Sequence, residues 1–116
     1  MEQNWAGNLV YRASRIEHPT SLDEVRATLA QGGPVRMLGT RHGFSDIADT
    51  EGILVELDRL PRVIEVTPDR TAVRVSGALR YGDLAPVLEE QGLALASLAS
   101  LPHISIAGAI ATGTHG

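Results

Sequence analysis

The sequence has no cysteine and no lysine. Without thiols, disulfides, thiolate metal sites and a cysteine nucleophile are excluded together. All ten basic residues are arginine, spread along the chain, and the formal net charge is −4. No basic patch is legible, which excludes nucleic acid and anionic membrane surfaces as electrostatic partners. Aromatics make up only 3% of residues (Trp5, Tyr11, Phe44 and Tyr81). That is too few for the stacked faces that single-stranded nucleic acid requires. Long apolar runs are also missing. The first residues carry Glu2 and do not read as a secretory signal. The least polar stretch, Gly92 to Gly113, is broken by Ser, Pro and His and does not read as a membrane span. The expectation from these exclusions is a soluble, cytoplasmic protein.

The 116 residues, 43% apolar and 21% charged, suit one globular domain or a piece of one, with a core of Val, Ile, Leu and Ala. Leu9–Ala13 reads as a short entry strand. Thr20 and Ser21 followed by Glu24 give a capping-box start to a helix, with Leu22, Val25, Ala27 and Leu29 as its apolar face. Gly32-Gly33-Pro34 ends it. Val35–Leu38 and Ile53–Leu57 read as strands, the second as a buried one. Val63–Val66 and Thr71–Val75 flank Pro68-Asp69-Arg70 and predict a hairpin. Tyr81–Gln91 predicts a second helix closed by Gly92, with Pro86 tolerated if it falls in the first turn. A last strand is expected in Leu93–Gly116. The order β-α-β-β-β-β-α-β gives an α+β fold, a small mixed sheet with two main helices. The chain stops in Gly-Thr-His-Gly after an apolar segment without a partner element, so it reads as the N-terminal piece of a longer protein.

Two loops could carry chemistry. Met37-Leu38-Gly39-Thr40-Arg41-His42-Gly43-Phe44-Ser45 follows a strand, and its glycines let backbone amides converge on an anion. A plain chain reversal has the same pattern, and His42 is a candidate nucleophile, base or ligand, although a lone loop histidine is more often a solvated or capping residue. The second loop runs from Ser97 through Ser100, Pro102 and His103 to Ser105, then into Ile106-Ala107-Gly108-Ala109-Ile110-Ala111-Thr112-Gly113-Thr114-His115-Gly116. Residues this small allow backbone to lie flat on a planar ligand, or simply to pack on other backbone. No Gly-x-Gly-x-x-Gly fingerprint is present. His42, His103 and His115 lack the spacing of a helical metal site, and no metal is expected.

Taken together, Asn4–Asn8, Leu38–Ala48, Gly92–Leu95, Ala99–Gly108 and Ala111–Gly116 resemble vanillyl-alcohol-oxidase-type flavoproteins, and more narrowly the alditol (xylitol) oxidases. The resemblance implies that residues 1–116 are the N-terminal part of a PCMH-type FAD-binding domain, with the rest of that domain and the substrate domain lying later in the chain. It implies that Met37, Leu38, Gly39, Thr40, Arg41, His42 and Gly43 wrap the FAD pyrophosphate. His42 would carry the covalent bond to the 8α-methyl carbon of the isoalloxazine. Ser100 would sit at the flavin, touch the substrate and act as a catalytic residue. Ser105, Gly108, Ala109, Ile110 and Ala111 would line the cofactor.

The implied reaction oxidises the terminal hydroxyl of a polyol such as xylitol or sorbitol to the aldose, with O₂ reduced to hydrogen peroxide. An aldonolactone oxidase or dehydrogenase of the same superfamily is the nearest alternative, and a non-catalytic binding module the most distant. Arg41 stands where many relatives have Gly, and Gly43 where many have Ser. The arginine could contact the pyrophosphate or point to solvent. Residues 1–116 alone are expected to be inactive and to retain FAD weakly or not at all, with an apolar, association-prone patch at Gly92–Gly116.

Overall fold

The computed structural model describes residues 2–115, so Gly116 of the closing motif lies outside the described residues. The chain divides into two units, Met1–Leu60 and Pro61–Gly116.

In the first unit, β1 (Arg15–Glu17), α1 (Leu22–Ala30), β2 (Val35–Met37) and β3 (Ile53–Val55) form a three-stranded parallel sheet of order β1-β3-β2. The central strand pairs Ile53 with both Arg15 and Val35, and Val55 with both Glu17 and Met37. Covered on both sides, β3 is apolar throughout, as central parallel strands are; Leu54 and Val55 are wholly buried. Leu54 packs with Tyr11 and Leu38, and Ala13, Ile16 and Ala48 border them.

The start of α1 follows the capping-box reading. The Ser21 hydroxyl accepts from the Glu24 amide at 3.2 Å, and the Glu24 carboxylate accepts from the Thr20 amide at 2.5 Å. That bond and a second one from the Thr20 hydroxyl hold the Glu24 carboxyl below its usual range. The expected apolar face is not a buried face. Leu22, Ala27 and Leu29 are exposed and Val25 is half-buried; the helix buries Thr28, whose hydroxyl donates to Glu17 at 2.9 Å. A satisfied hydroxyl tolerates burial at small cost. The expected entry strand at Leu9–Ala13 is replaced by a loop closed by a single bridge between Gln3 and Val10, with the Asn4 amide donating to the Leu9 carbonyl across it.

In the second unit, β4 (Ile64–Val66) and β5 (Val73–Val75) form the expected antiparallel hairpin, separate from the parallel sheet, so the mixed character is shared between two sheets. Leu79, Leu84, Leu88 and Ile106 make its core, flanked by the hairpin valines and isoleucine. Helix α2 (Tyr81–Glu90) holds Pro86 at its sixth position rather than in the first turn. The carbonyl deprived of that amide belongs to Gly82, which is exposed to water and loses little. Gly92, at φ 71°, lets the Leu93 amide reach the Leu88 carbonyl at 2.8 Å, a Schellman closure with Leu93 packed back on the core.

The expected last strand is a helix, α3 (Ile106–Ala111). Alanine-rich sequence favours the helix, and Ile106 and Ala109, three apart, are its buried face. Gly113, at φ 67°, closes it in the same way, with the Thr114 amide on the Ala109 carbonyl at 2.9 Å.

Two outcomes follow for the first unit. A Cβ at Gly52 would meet the Pro34 carbonyl oxygen at 2.0 Å, the same oxygen that accepts from the Ile53 amide. Gly52→Ala should therefore destabilise the unit by about 1–3 kcal/mol in urea unfolding, because backbone must move at the start of β3. Asp49 is buried, which raises its pKa, but bonds from the Arg12 side chain and amide and from the Thr50 amide outweigh burial and hold it below its ordinary 3.8. The unfolded state then binds more protons in that window, so the stabilisation is complete above pH 3.8 and disappears as pH falls through the folded value. Asp49→Asn should flatten this acid limb in unfolding midpoints measured against pH.

Candidate cofactor-binding site

The loop after β2 begins by extending the sheet. Leu38 is buried, and its amide donates to the Val55 carbonyl at 2.8 Å. Met37, the last residue of β2, is half-exposed. The run of amides not used by the sheet therefore starts at Gly39. Among the described residues, the amides of Gly39, Thr40, Arg41 and Gly43 donate to no protein acceptor. Arg41 is left-handed at φ 66°, and alternation of hand is how successive amides come to face one point. A Cβ built on Gly43 would meet nothing within 4 Å, so the loop has open space beside it.

Residues 4–8 brace this loop from behind. Asn4 is almost fully buried: its Nδ2 donates to the Gly43 carbonyl at 2.9 Å and to Asn8 Oδ1 at 2.7 Å, while its Oδ1 accepts from the Leu9 amide. The Trp5 amide donates to the Arg41 carbonyl at 2.6 Å, and Asn8 Nδ2 reaches the Phe44 carbonyl at 3.2 Å. The indole of Trp5 stacks on the His42 imidazole, centroids 5.3 Å apart and planes 19° from parallel. His42 Nδ1 lies 3.0 Å from the Thr40 hydroxyl. The ring is half-buried and held on two sides.

Arg41 takes neither of the two directions expected of it. Its guanidinium binds the Glu56 carboxylate at 3.0 Å and lies 3.6 Å from that of Glu2. Burial pushes the Glu56 carboxyl above its ordinary value, against the pull of Arg41. Sequence reasoning assigned no role to Glu56, Asn4 or Trp5. The signals that existed were the paired amides of Asn4 and Asn8 and a charged residue ending an apolar strand.

In the second unit, Ser100 is exposed on the loop that precedes α3. Pro102 of that loop accepts from the Gly82 amide at 2.7 Å, an approach so close that a Cβ on Gly82 would sit 3.0 Å from the same oxygen. Ser105 is the buried N-cap of α3, and Gly108 lies over it, with room for a Cβ only 2.7 Å from its hydroxyl. Ala109 is buried, whereas Ile110 and Ala111 are exposed. The small residues thus serve a short helix rather than a flat extended chain. Leu98, Leu101 and Ile110 are exposed, the last at 71%, which gives the segment the apolar surface expected of it. Among the described residues, no helix is long and apolar enough to cross a membrane.

A loop of unspent amides after a parallel strand suits a diphosphate, and the matching family takes one. The chain belongs to the FAD binding domain family, which matches residues 13–116. It is 44% identical over 97% of its length to alditol oxidase from a Streptomyces species, of which it covers 28%. It is 35% identical, again over 97% of its length, to L-gulonolactone oxidase of Mus musculus, covering 27% of that protein. The chain thus spans about a quarter of the length of these relatives. Among solved structures, cholesterol oxidase from B. sterolicum superposes with a TM-score of 0.77 over 98% of this chain and 23% of that one, at 21% identity. That likeness establishes the PCMH-type fold, and the cofactor is FAD.

Asn4→Ala should leave the Leu9 amide and the Gly43 carbonyl without their partner and cost about 1–3 kcal/mol in urea unfolding. It should also shift the emission of Trp5, the one tryptophan in the chain.

Proposed function

We propose that residues 1–116 are the N-terminal portion of the FAD-binding domain of an oxidase, with the remainder of that domain and a substrate domain in the full-length protein. The enzyme oxidises the terminal hydroxyl of an alditol such as xylitol or sorbitol to the aldose and reduces O₂ to hydrogen peroxide. Bound FAD would supply the redox chemistry, as the acceptor between the polyol and oxygen. The rest of the reading concerns what this chain does. The amides of Gly39, Thr40, Arg41 and Gly43 take the pyrophosphate charge, as unspent donors on a glycine-bearing loop do. His42 carries the covalent link to the cofactor, its ring oriented by the Thr40 hydroxyl and covered by Trp5. Ser100, exposed on its loop, touches the substrate hydroxyls, and Ser105, Gly108, Ala109, Ile110 and Ala111 contribute backbone and short side chains to the cofactor pocket. The protein works in the cytoplasm on a small-molecule substrate.

The carrying observation is the set of unspent amides that brackets a clamped His42. The 44% identity to an alditol oxidase favours the polyol substrate; the 35% identity to a lactone oxidase supports an aldonolactone as the second reading. Acid precipitation of the full-length protein is expected to give a yellow pellet, and His42→Ala a colourless one. Colour retained in the variant would refute the assignment of His42. Peroxide released with xylitol but not with gulonolactone would favour the first substrate, and the reverse pattern the second. Purified residues 1–116 should hold FAD far below stoichiometry.

A further inference from the structure

Arg41 precedes His42 and keeps a left-handed backbone, φ 66°, that side chains other than glycine seldom adopt. Something must hold it there. Its carbonyl accepts from the Trp5 amide, and its side chain reaches back to the residue after β3, where Nη2 meets the Glu56 carboxylate at 3.0 Å. Both groups are largely buried, with 24% of the Arg41 side chain and 14% of the Glu56 side chain exposed. Arg41 Nε is buried without a partner among the described residues, so Glu56 is the main compensation for this cation. Glu56 is in turn flanked by His18, whose Nδ1 lies 3.6 Å from it and 2.8 Å from Asp58. Glu2 lies against the guanidinium, and the buried Tyr11 feels the charges of both Arg41 and Glu56.

We infer that Glu56 is a positioning residue for the cofactor loop: by anchoring the Arg41 guanidinium to the end of β3 it fixes the left-handed turn that sets His42 against Trp5. The inference rests on the reading of His42 as the point of flavin attachment, but the clamp itself is a property of this chain. Glycine would adopt φ 66° without any anchor. The role of Glu56 therefore exists only because an arginine occupies position 41, and the two residues act as one device.

The test is a double-mutant cycle in the full-length protein, read two ways. One readout is Trp5 emission, which reports on the position of His42 because the two rings are stacked. The other is the rate at which acid-stable flavin forms when apoprotein is mixed with FAD. Glu56→Ala should change Trp5 emission and slow flavin attachment by about tenfold or more, the scale of one charged hydrogen bond. Arg41→Gly, whose backbone adopts the left-handed turn unaided, should impair both readouts less than Glu56→Ala does. Adding Glu56→Ala to Arg41→Gly should then have little effect, a rescue that a general structural defect would not give. Unchanged Trp5 emission in Glu56→Ala, or a double variant as impaired as Glu56→Ala alone, would overturn the clamp. If the unmutated protein forms no acid-stable flavin while the emission cycle behaves as stated, the clamp stands and the attachment at His42 falls.

Discussion

The first unit depends on the two-sided parallel pairing of β3. Three residues, Ile53, Leu54 and Val55, are paired with β1 on one edge and β2 on the other. Because all three strands run the same way, their carboxyl ends lie together, which is where open parallel sheets present their ligand loops. Glu17 and His18 leave β1 there, Leu38 leads the glycine loop out of β2, and Glu56 follows β3. At the opposite, amino end of the sheet the short strands leave the register sensitive. Gly52 must let Pro34 approach within reach of the Ile53 amide, so the register of the sheet rests on a missing side chain.

The first unit also buries polar groups beside its apolar ones. Asn4 and Asp49, both buried, direct most of their hydrogen bonds to backbone, and the Asn8 amide and the Arg12 guanidinium take the rest. Such groups cost little when every bond is made and a great deal when one is lost. The second unit is built differently, with leucines of α2, the hairpin and Ile106 forming a small apolar core, and two helices each closed by a left-handed glycine.

Much of the architecture was legible because it rests on local chemistry. The hydroxyl of Ser21 and the carboxylate of Glu24 announce α1, Gly32-Gly33-Pro34 announces its end, and the continuous apolar run at Ile53 announces a strand covered on both faces. What escaped was decided by tertiary context. Leu22 and Leu29 have helical spacing but nothing in the unit covers them, while Thr28 is buried by a partner eleven residues away. The segment Ile106–Ala111 is uniformly small and apolar, with no polar position to separate strand from helix, and it folds as the helix that buries Ile106 and Ala109. Of the site, the glycine loop and His42 could be read from residue types. The braces, Asn4, Trp5 and Glu56, could not be, because their partners lie 15 to 39 positions away along the chain or, for Trp5, across a stacking contact.

The contact between Arg41 and Glu56 also constrains how this lineage can change. Losing the acid first strands a cation in a poorly hydrated place, and losing the base first leaves Glu56 beside Asp58 with only His18 between them. A drifting descendant that reaches glycine at the forty-first position is released from any need for an acid at the fifty-sixth. The two codons should therefore turn over in concert, and orthologues should divide into those that hold both charges and those that hold neither.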